Sequence, residues 1–185
     1  RRFGTVHREQ KWVRERTQEA YAHHYTMAWP HEEFVSARPV LKSPLYERLK
    51  VQGAVFGSKL GWERPNWYAG SGEAGHDIYT YERAGVFDQT SFAKFMLTGE
   101  DSEKALSWIC ANDVSGPPGK VTYTQMLNHR GGIECDLTVT RLADDAYYIV
   151  TGTGFATHDF HWISSNIPEG YDAQLADVTR SFGVL

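Results

Sequence analysis

Two neighbouring segments of alternating character leave this chain little freedom over its second half: KVTYTQMLN at 120–128 and GIECDLTVTRL at 132–142, joined by His129-Arg130-Gly131. β-branched residues recur through both, and the joint is short and glycine-containing, so the pair is predicted to form a β-hairpin. Successive strand side chains point to opposite faces. Ile133, Cys135, Leu137 and Val139 therefore form an apolar face, and Glu134, Asp136, Thr138 and Thr140 a polar one. A two-residue turn at Arg130-Gly131 sets Tyr123 opposite Thr138 and Gln125 opposite Asp136. Tyr123 then lies diagonal to Asp136, roughly 7–8 Å away. A three-residue loop shifts the register by one and sets Met126 opposite Asp136 instead. A face of Tyr, Gln, Asp and Thr suits recognition of a polar heterocycle. Half-exposed antiparallel strands also present such a face to plain water.

The flanking sequence extends the sheet. GVFDQTSFAKFMLTG (85–99) holds one or two strands, and AYYIVTG (146–152) holds another after an ADD turn. EDSEKALSWICAND (100–113) is a predicted helix with Asp101 or Ser102 as cap, Ala105, Leu106 and Ile109 as buried stripe, and Asn112 near its end. FATHDFHWISSNI (155–167) is a second helix. Upstream, residues 8–27 have rough helical spacing that Trp29-Pro30 is expected to stop. Residues 36–44 form a proline-containing linker. A short helix follows, with Ser43 as N-cap, Pro44 in its first turn and Gly53 as its stop. Residues 55–81 look irregular. The predicted class is α+β: an antiparallel meander or Greek-key sheet with packed helices, plus an N-terminal helical arm. The arm and linker take residues 1–42, and the folded domain residues 43–185.

Composition excludes several alternatives. The chain has 185 residues, 41% hydrophobic and 23% charged, which is ordinary for a globular protein. Its formal net charge of −4 argues against a nucleic-acid partner, and no apolar run reaches the ~18 residues of a membrane span. Cys110 and Cys135 are too few for a disulfide framework or a zinc site, and their apolar settings favour buried thiols in a reducing compartment. G-x-G-x-x-G at Gly70, Gly72 and Gly75 lacks the strand before it and the helix after it that a dinucleotide loop needs, so it reads as a surface loop. His158 and His161, three apart, are too few for a metal site. The chain has no initiator Met and ends on SFGVL, which reads as a strand, so a longer parent polypeptide is expected.

GKVTYTQMLNHRGGIECDLTVTRL, CANDVSGPPGKVTY and GWERP together resemble the glycine-cleavage T-protein (aminomethyltransferase) family. SPLYERLKVQGAVFGSKLGWERPNWYA and GVFDQTSFAKFMLTGEDSEKALSWICANDV resemble, more narrowly, the C-terminal half of FAD-dependent dimethylglycine and sarcosine dehydrogenases and oxidases. The first forty residues resemble the segment that joins their flavin and folate domains. The resemblance implies a folate-binding module that receives a one-carbon unit on tetrahydrofolate, giving 5,10-methylenetetrahydrofolate. The unit comes from an iminium made by oxidising an N-methylated glycine, with FAD in a preceding domain. The remainder of the parent chain is the implied protein partner, and the location is bacterial cytoplasm or mitochondrial matrix. Asp136 takes the place of the family's key aspartate and Tyr123 that of its folate-contacting tyrosine. Thr138, Met126 and Asn112 complete the expected cofactor contacts. Two departures stand out: Cys135 replaces the first acid of the family's acidic pair, and Thr151-Gly152 stands where T-proteins carry an Asn. A stand-alone aminomethyltransferase and a non-catalytic module of the same fold are the other readings.

Overall fold

The computed structural model describes residues 9–27, 29–30, 32–69 and 86–185. The glycine motif at 70–75 lies outside them. The chain forms two compact units, Arg1–Asp88 and Gln89–Leu185. Among the described residues no helix is long and apolar enough to cross a membrane.

In the first unit, α1 covers Gln10–His23 and buries none of its residues. It is tied to the extended segment beside it by polar contacts. The Glu19 carboxylate accepts the backbone N–H groups of Val35 at 2.7 Å and Ser36 at 2.8 Å, and Arg16 donates to the Ser36 carbonyl at 2.7 Å. The helix stops short of Trp29-Pro30, correcting the longer span expected. Its last amides turn back to carbonyls three residues earlier, as at Tyr25 to Ala22 and Thr26 to His23. The run His23-His24-Tyr25-Thr26 has poor helix propensity, so fraying there is cheap. Next, α2 covers Tyr46–Val51. Ser43 precedes it by one turn, accepting the Leu45 N–H at its hydroxyl (3.2 Å) rather than capping the helix proper. Gly53 ends it with φ +90°, where an added Cβ would lie 2.3 Å from the Ala69 carbonyl oxygen.

Residues 55–68, expected to be irregular, instead belong to a hairpin of β1 (Ala54–Lys59) and β2 (Trp62–Tyr68). Leu60 and Gly61 make the turn, both at positive φ (51° and 87°), the backbone that a tight hairpin needs. A register shift beside Val55/Phe56 leaves Asn66 unpaired next to Pro65, which has no N–H to give the ladder. Arg38 packs under this hairpin. Its guanidinium donates to both carboxylate oxygens of Glu63 (3.0 and 2.7 Å) and to the Phe56 carbonyl (2.9 Å).

The second unit is built on one antiparallel sheet of order β4-β5-β6-β3-β7. Its strands are β3 (Ala93–Thr98), β4 (Val121–Leu127), β5 (Ile133–Ala143), β6 (Ala146–Thr151) and β7 (Gln174–Asp177). Consecutive β4, β5 and β6 form a meander. β3 joins its far side, so the class is α+β as predicted. Two helices, α3 (Ser102–Ile109) and α4 (Ala156–Asn166), add Ala105, Leu106, Ile109 and Ile163 to the core that one sheet face builds. The buried stripe on α3 is the one its spacing predicts.

The other sheet face is divided. After β7 the chain returns over β3: the Val178 N–H reaches the Lys94 carbonyl at 2.9 Å, and the Lys94 ammonium donates to the carbonyls of Thr90 (2.7 Å) and Phe182 (2.8 Å). Ser181–Leu185 forms no strand, contrary to the reading of SFGVL; it is held by single bonds such as Gln89 N–H to the Val184 carbonyl. This return covers the β3 end of the face, with the Phe182 ring edge-on to Tyr148. The Tyr123 and Asp136 side chains, at the β4 and β5 end, are exposed.

Both cysteines are free, and burial pushes both thiols up, Cys110 to about 12. Only the thiolate is an efficient nucleophile. Iodoacetamide at pH 8 is therefore expected to label neither residue in the native protein and both in denaturant; fast native labelling of Cys110 by mass spectrometry would contradict this burial.

Candidate functional site

The hairpin of β4 and β5 closes by a route that alternation alone does not reveal. Its loop is three residues, His129-Arg130-Gly131, with the Asn128 N–H bonded to the Gly132 carbonyl at 2.9 Å. Asn128 supplies the rest of the turn. Its side-chain oxygen accepts the N–H groups of Arg130 (2.9 Å) and Gly132 (3.0 Å), and its side-chain nitrogen donates to Glu134 at 2.8 Å. Gly131, at φ 77°, supplies the left-handed position. Continued without interruption, this closure would set the core-facing Thr124, and not the Met126 expected of a three-residue loop, against Asp136, because the closing pair is Asn128 and Gly132. Glu134 prevents that. Met126 pairs with Cys135 and Leu127 with Ile133, so Glu134 is the extra residue of a β-bulge. The bulge restores the register in which Tyr123 faces Thr138 and Gln125 faces Asp136. The expected pairing is correct although the expected two-residue turn is not. The bulge also breaks the predicted apolar face: Cys135, Leu137 and Val139 are buried, but Ile133, on the far side of Glu134, is 66% exposed.

The resulting face holds Tyr123, Gln125, Asp136 and Thr138. Gln125 donates from its amide to Asp136 Oδ1 at 3.3 Å. A hydrogen bond to the Asp136 carboxylate is the main reason the Tyr123 phenol titrates above its ordinary value, with partial desolvation adding to it. Tyr123 lies diagonal to Asp136 on this face, and most of the tyrosine side chain stays open to solvent. Thr138 sits half-buried directly across from Tyr123. Asn112 does not reach this cluster with its side chain. It binds the backbone of β4, its amide donating to the Tyr123 carbonyl (3.1 Å) and its N–H to the Thr124 hydroxyl (3.1 Å). Met126, expected among the cofactor contacts, is fully buried on the opposite side of the sheet. Alternation along β4 puts it there, with Thr122 and Thr124.

Sequence reasoning missed a second cluster behind the bulge. The His158 ring on α4 lies between two carboxylates: Nδ1 is 2.9 Å from Asp159 Oδ1 and Nε2 is 3.3 Å from Glu134 Oε2. Asp159 is buried and accepts the Thr151 hydroxyl at 2.5 Å. Both carboxylates hold the His158 imidazolium above its usual range, Asp159 more strongly and burial working against them. Donor atoms of Cys135, His158 and Asp159 lie within 4.8 Å of one another. Asp159 and His158 are already satisfied by each other and by Thr151 and Glu134, so the cluster is a hydrogen-bonded chain from Asn128 to β6. The available signal was an acid, Glu134, beside a residue that must face the core.

Comparison with known proteins places the whole chain. Residues 45–185 match the family model described as the GCVT N-terminal domain, and residues 1–43 match the FAD dependent oxidoreductase central domain. Human mitochondrial sarcosine dehydrogenase is 34% identical over 95% of this chain and 25% of its own length. The mitochondrial regulatory subunit of pyruvate dehydrogenase phosphatase from mouse is 28% identical over all of this chain and 24% of its own. The chain therefore spans about a quarter of the length of these curated relatives. The crystal structure of the glycine cleavage system aminomethyltransferase T from Bartonella henselae superimposes with a TM-score of 0.63 at 28% identity, over 76% of this chain and 38% of that one. This chain belongs to the GCVT N-terminal domain family.

Proposed function

We propose that this member of the family is the folate-binding part of a demethylating flavoenzyme, receiving on tetrahydrofolate the one-carbon unit of an oxidised N-methylated glycine, dimethylglycine or sarcosine. The observation that carries the reading is the exposed face of the family's hairpin on which Gln125 holds Asp136 with Tyr123 diagonal to it. Tetrahydrofolate supplies a nucleophilic nitrogen to which the one-carbon unit becomes bonded. The residues on the face fit such a ligand. The Tyr123 ring offers an aromatic surface at 59% exposure. Asp136 accepts an N–H from the ligand and takes its proton as the nitrogen is alkylated. Gln125 fixes the carboxylate, and Asn112 fixes the backbone beneath Tyr123. FAD is assigned to a preceding part of the full polypeptide, and no described residue here is given to it. The matching 1–43 segment and the mitochondrial sarcosine dehydrogenase relative support that arrangement, and with it a mitochondrial matrix location in a eukaryote or a cytoplasmic one in a bacterium.

The test supplies the full-length protein with sarcosine or dimethylglycine and tetrahydrofolate, and follows 5,10-methylenetetrahydrofolate by chromatography. Folate-dependent product is expected. The absence of both calorimetric tetrahydrofolate binding and product from either amine would sink the proposal. One observation favours a second reading: a regulatory subunit stands among the relatives, so the fold also serves proteins named for regulation. A non-catalytic module would give binding without product.

A further inference from the structure

We propose that His158 is a positioning residue for the Asp136 carboxylate: it pins the Glu134 bulge that sets the register of β5 against β4. The inference rests on the folate reading for its functional consequence but not for its structural core. The three-residue loop alone would bring Thr124 opposite Asp136 and turn the carboxylate toward the core side. One extra residue, Glu134, corrects this. A bulge needs an anchor, because its extra residue has no ladder partner. Glu134 has two: Asn128 from the loop at 2.8 Å and His158 from α4 at 3.3 Å. His158 is itself held by Asp159, which Thr151 of β6 binds from the other side. The bulge is thus referenced to a helix and to an inner strand, and the site residue two positions along is referenced with it.

The groups facing His158 are Glu134 and Cys135 on β5 and Asp159 on its own helix. Both ring nitrogens face carboxylate oxygens, and only the protonated imidazole donates from both. The folded protein raises the His158 pKa. The tie is therefore complete below the ordinary histidine value, about 6.5, and one contact is lost as pH rises through the folded value.

Three versions of the full-length protein test this: wild type, His158→Lys, which keeps a cation across the range, and His158→Gln, which never carries one. Tetrahydrofolate affinity is read by calorimetry from pH 6 to 9. Amide-exchange protection of residues 133–137 is read over the same range without ligand. Wild-type affinity is expected to weaken on the order of fivefold as pH rises. His158→Lys should flatten that limb, and His158→Gln should sit at the weak level throughout. Protection should follow the same three patterns. Identical protection profiles in all three proteins would overturn the proposal, whether or not folate binds. Altered protection with no folate binding in wild type would uphold the positioning role and refute the folate reading instead.

Discussion

Asp136→Asn is expected to bind tetrahydrofolate nearly as wild type does while losing about two to four orders of magnitude in the rate of 5,10-methylenetetrahydrofolate formation. The asymmetry follows from what the substitution removes. Asparagine keeps the size of the side chain and a carbonyl oxygen for the Gln125 amide, so the face keeps its shape. It cannot take a proton. A nitrogen that forms a new bond to carbon must shed its proton, and without a base beside it the step waits for water. In the proposed reaction, an iminium formed upstream would not wait: water would add to it and release formaldehyde and the demethylated amine. The checking measurement is therefore a partition. Stopped assays on full-length wild type and variant should show unchanged amine consumption, with the one-carbon unit moving from methylenetetrahydrofolate to free formaldehyde. Equal methylenetetrahydrofolate yields would remove Asp136 from the chemistry. Tyr123→Phe should have a milder effect on the same partition, because Gln125 still orients the carboxylate when the phenol is gone.

What the sequence disclosed about this site was governed by how local the information is. Alternation along β5 separates Asp136 from Cys135 and Leu137, and that separation survives because burying a carboxylate among them would be expensive. The same rule, applied to β4, already places Met126 in the core with Thr122 and Thr124. Its expected ligand contact comes from the family motif alone, which does not distinguish faces. The loop was not legible, because the Asn128 side chain replaces backbone partners that a turn rule assumes. The β1–β2 hairpin was not legible either. Gly57, Pro65 and Asn66 erase its alternation, and a leucine at positive φ takes a place usually held by Asn or Asp. The His158 chain depends on a helix meeting a bulge that are some twenty-four residues apart in the sequence, and no window of sequence contains both.

Replacing Arg38 by methionine is expected to cost the first unit about 3–5 kcal/mol, the loss typical of stranding one member of a buried ion pair. Glu63 lies 6% exposed on β2, and the Arg38 fork serves both of its oxygens. Such a planar two-point bond is the strongest ordinary form of the interaction. The remaining guanidinium contacts reach the Phe56 carbonyl on β1 at 2.9 Å and the Phe34 carbonyl at 3.2 Å, so one side chain joins the extended arm to both strands of the hairpin. The hydrogen bond that Arg38 donates to Glu63 is the main cause of a guanidinium pKa held above its already high ordinary value, and the pair stays charged on the arginine side at any working pH. Methionine retains the apolar stem but leaves a buried carboxylate without its cation. Lysine restores the charge without the fork, so Arg38→Lys should fall between the two. The decisive comparison is the double variant Arg38→Met with Glu63→Met. If desolvation of the stranded acid is the source of the loss, removing both charges should recover most of it. Limited proteolysis with peptide mapping of residues 32–69 in the full-length proteins reads the order directly. Cleavage should be fastest in Arg38→Met, slower in Arg38→Lys and slower still in the double variant. A double variant as labile as Arg38→Met would instead place the stability in the Phe34 and Phe56 carbonyl bonds, which both variants lack.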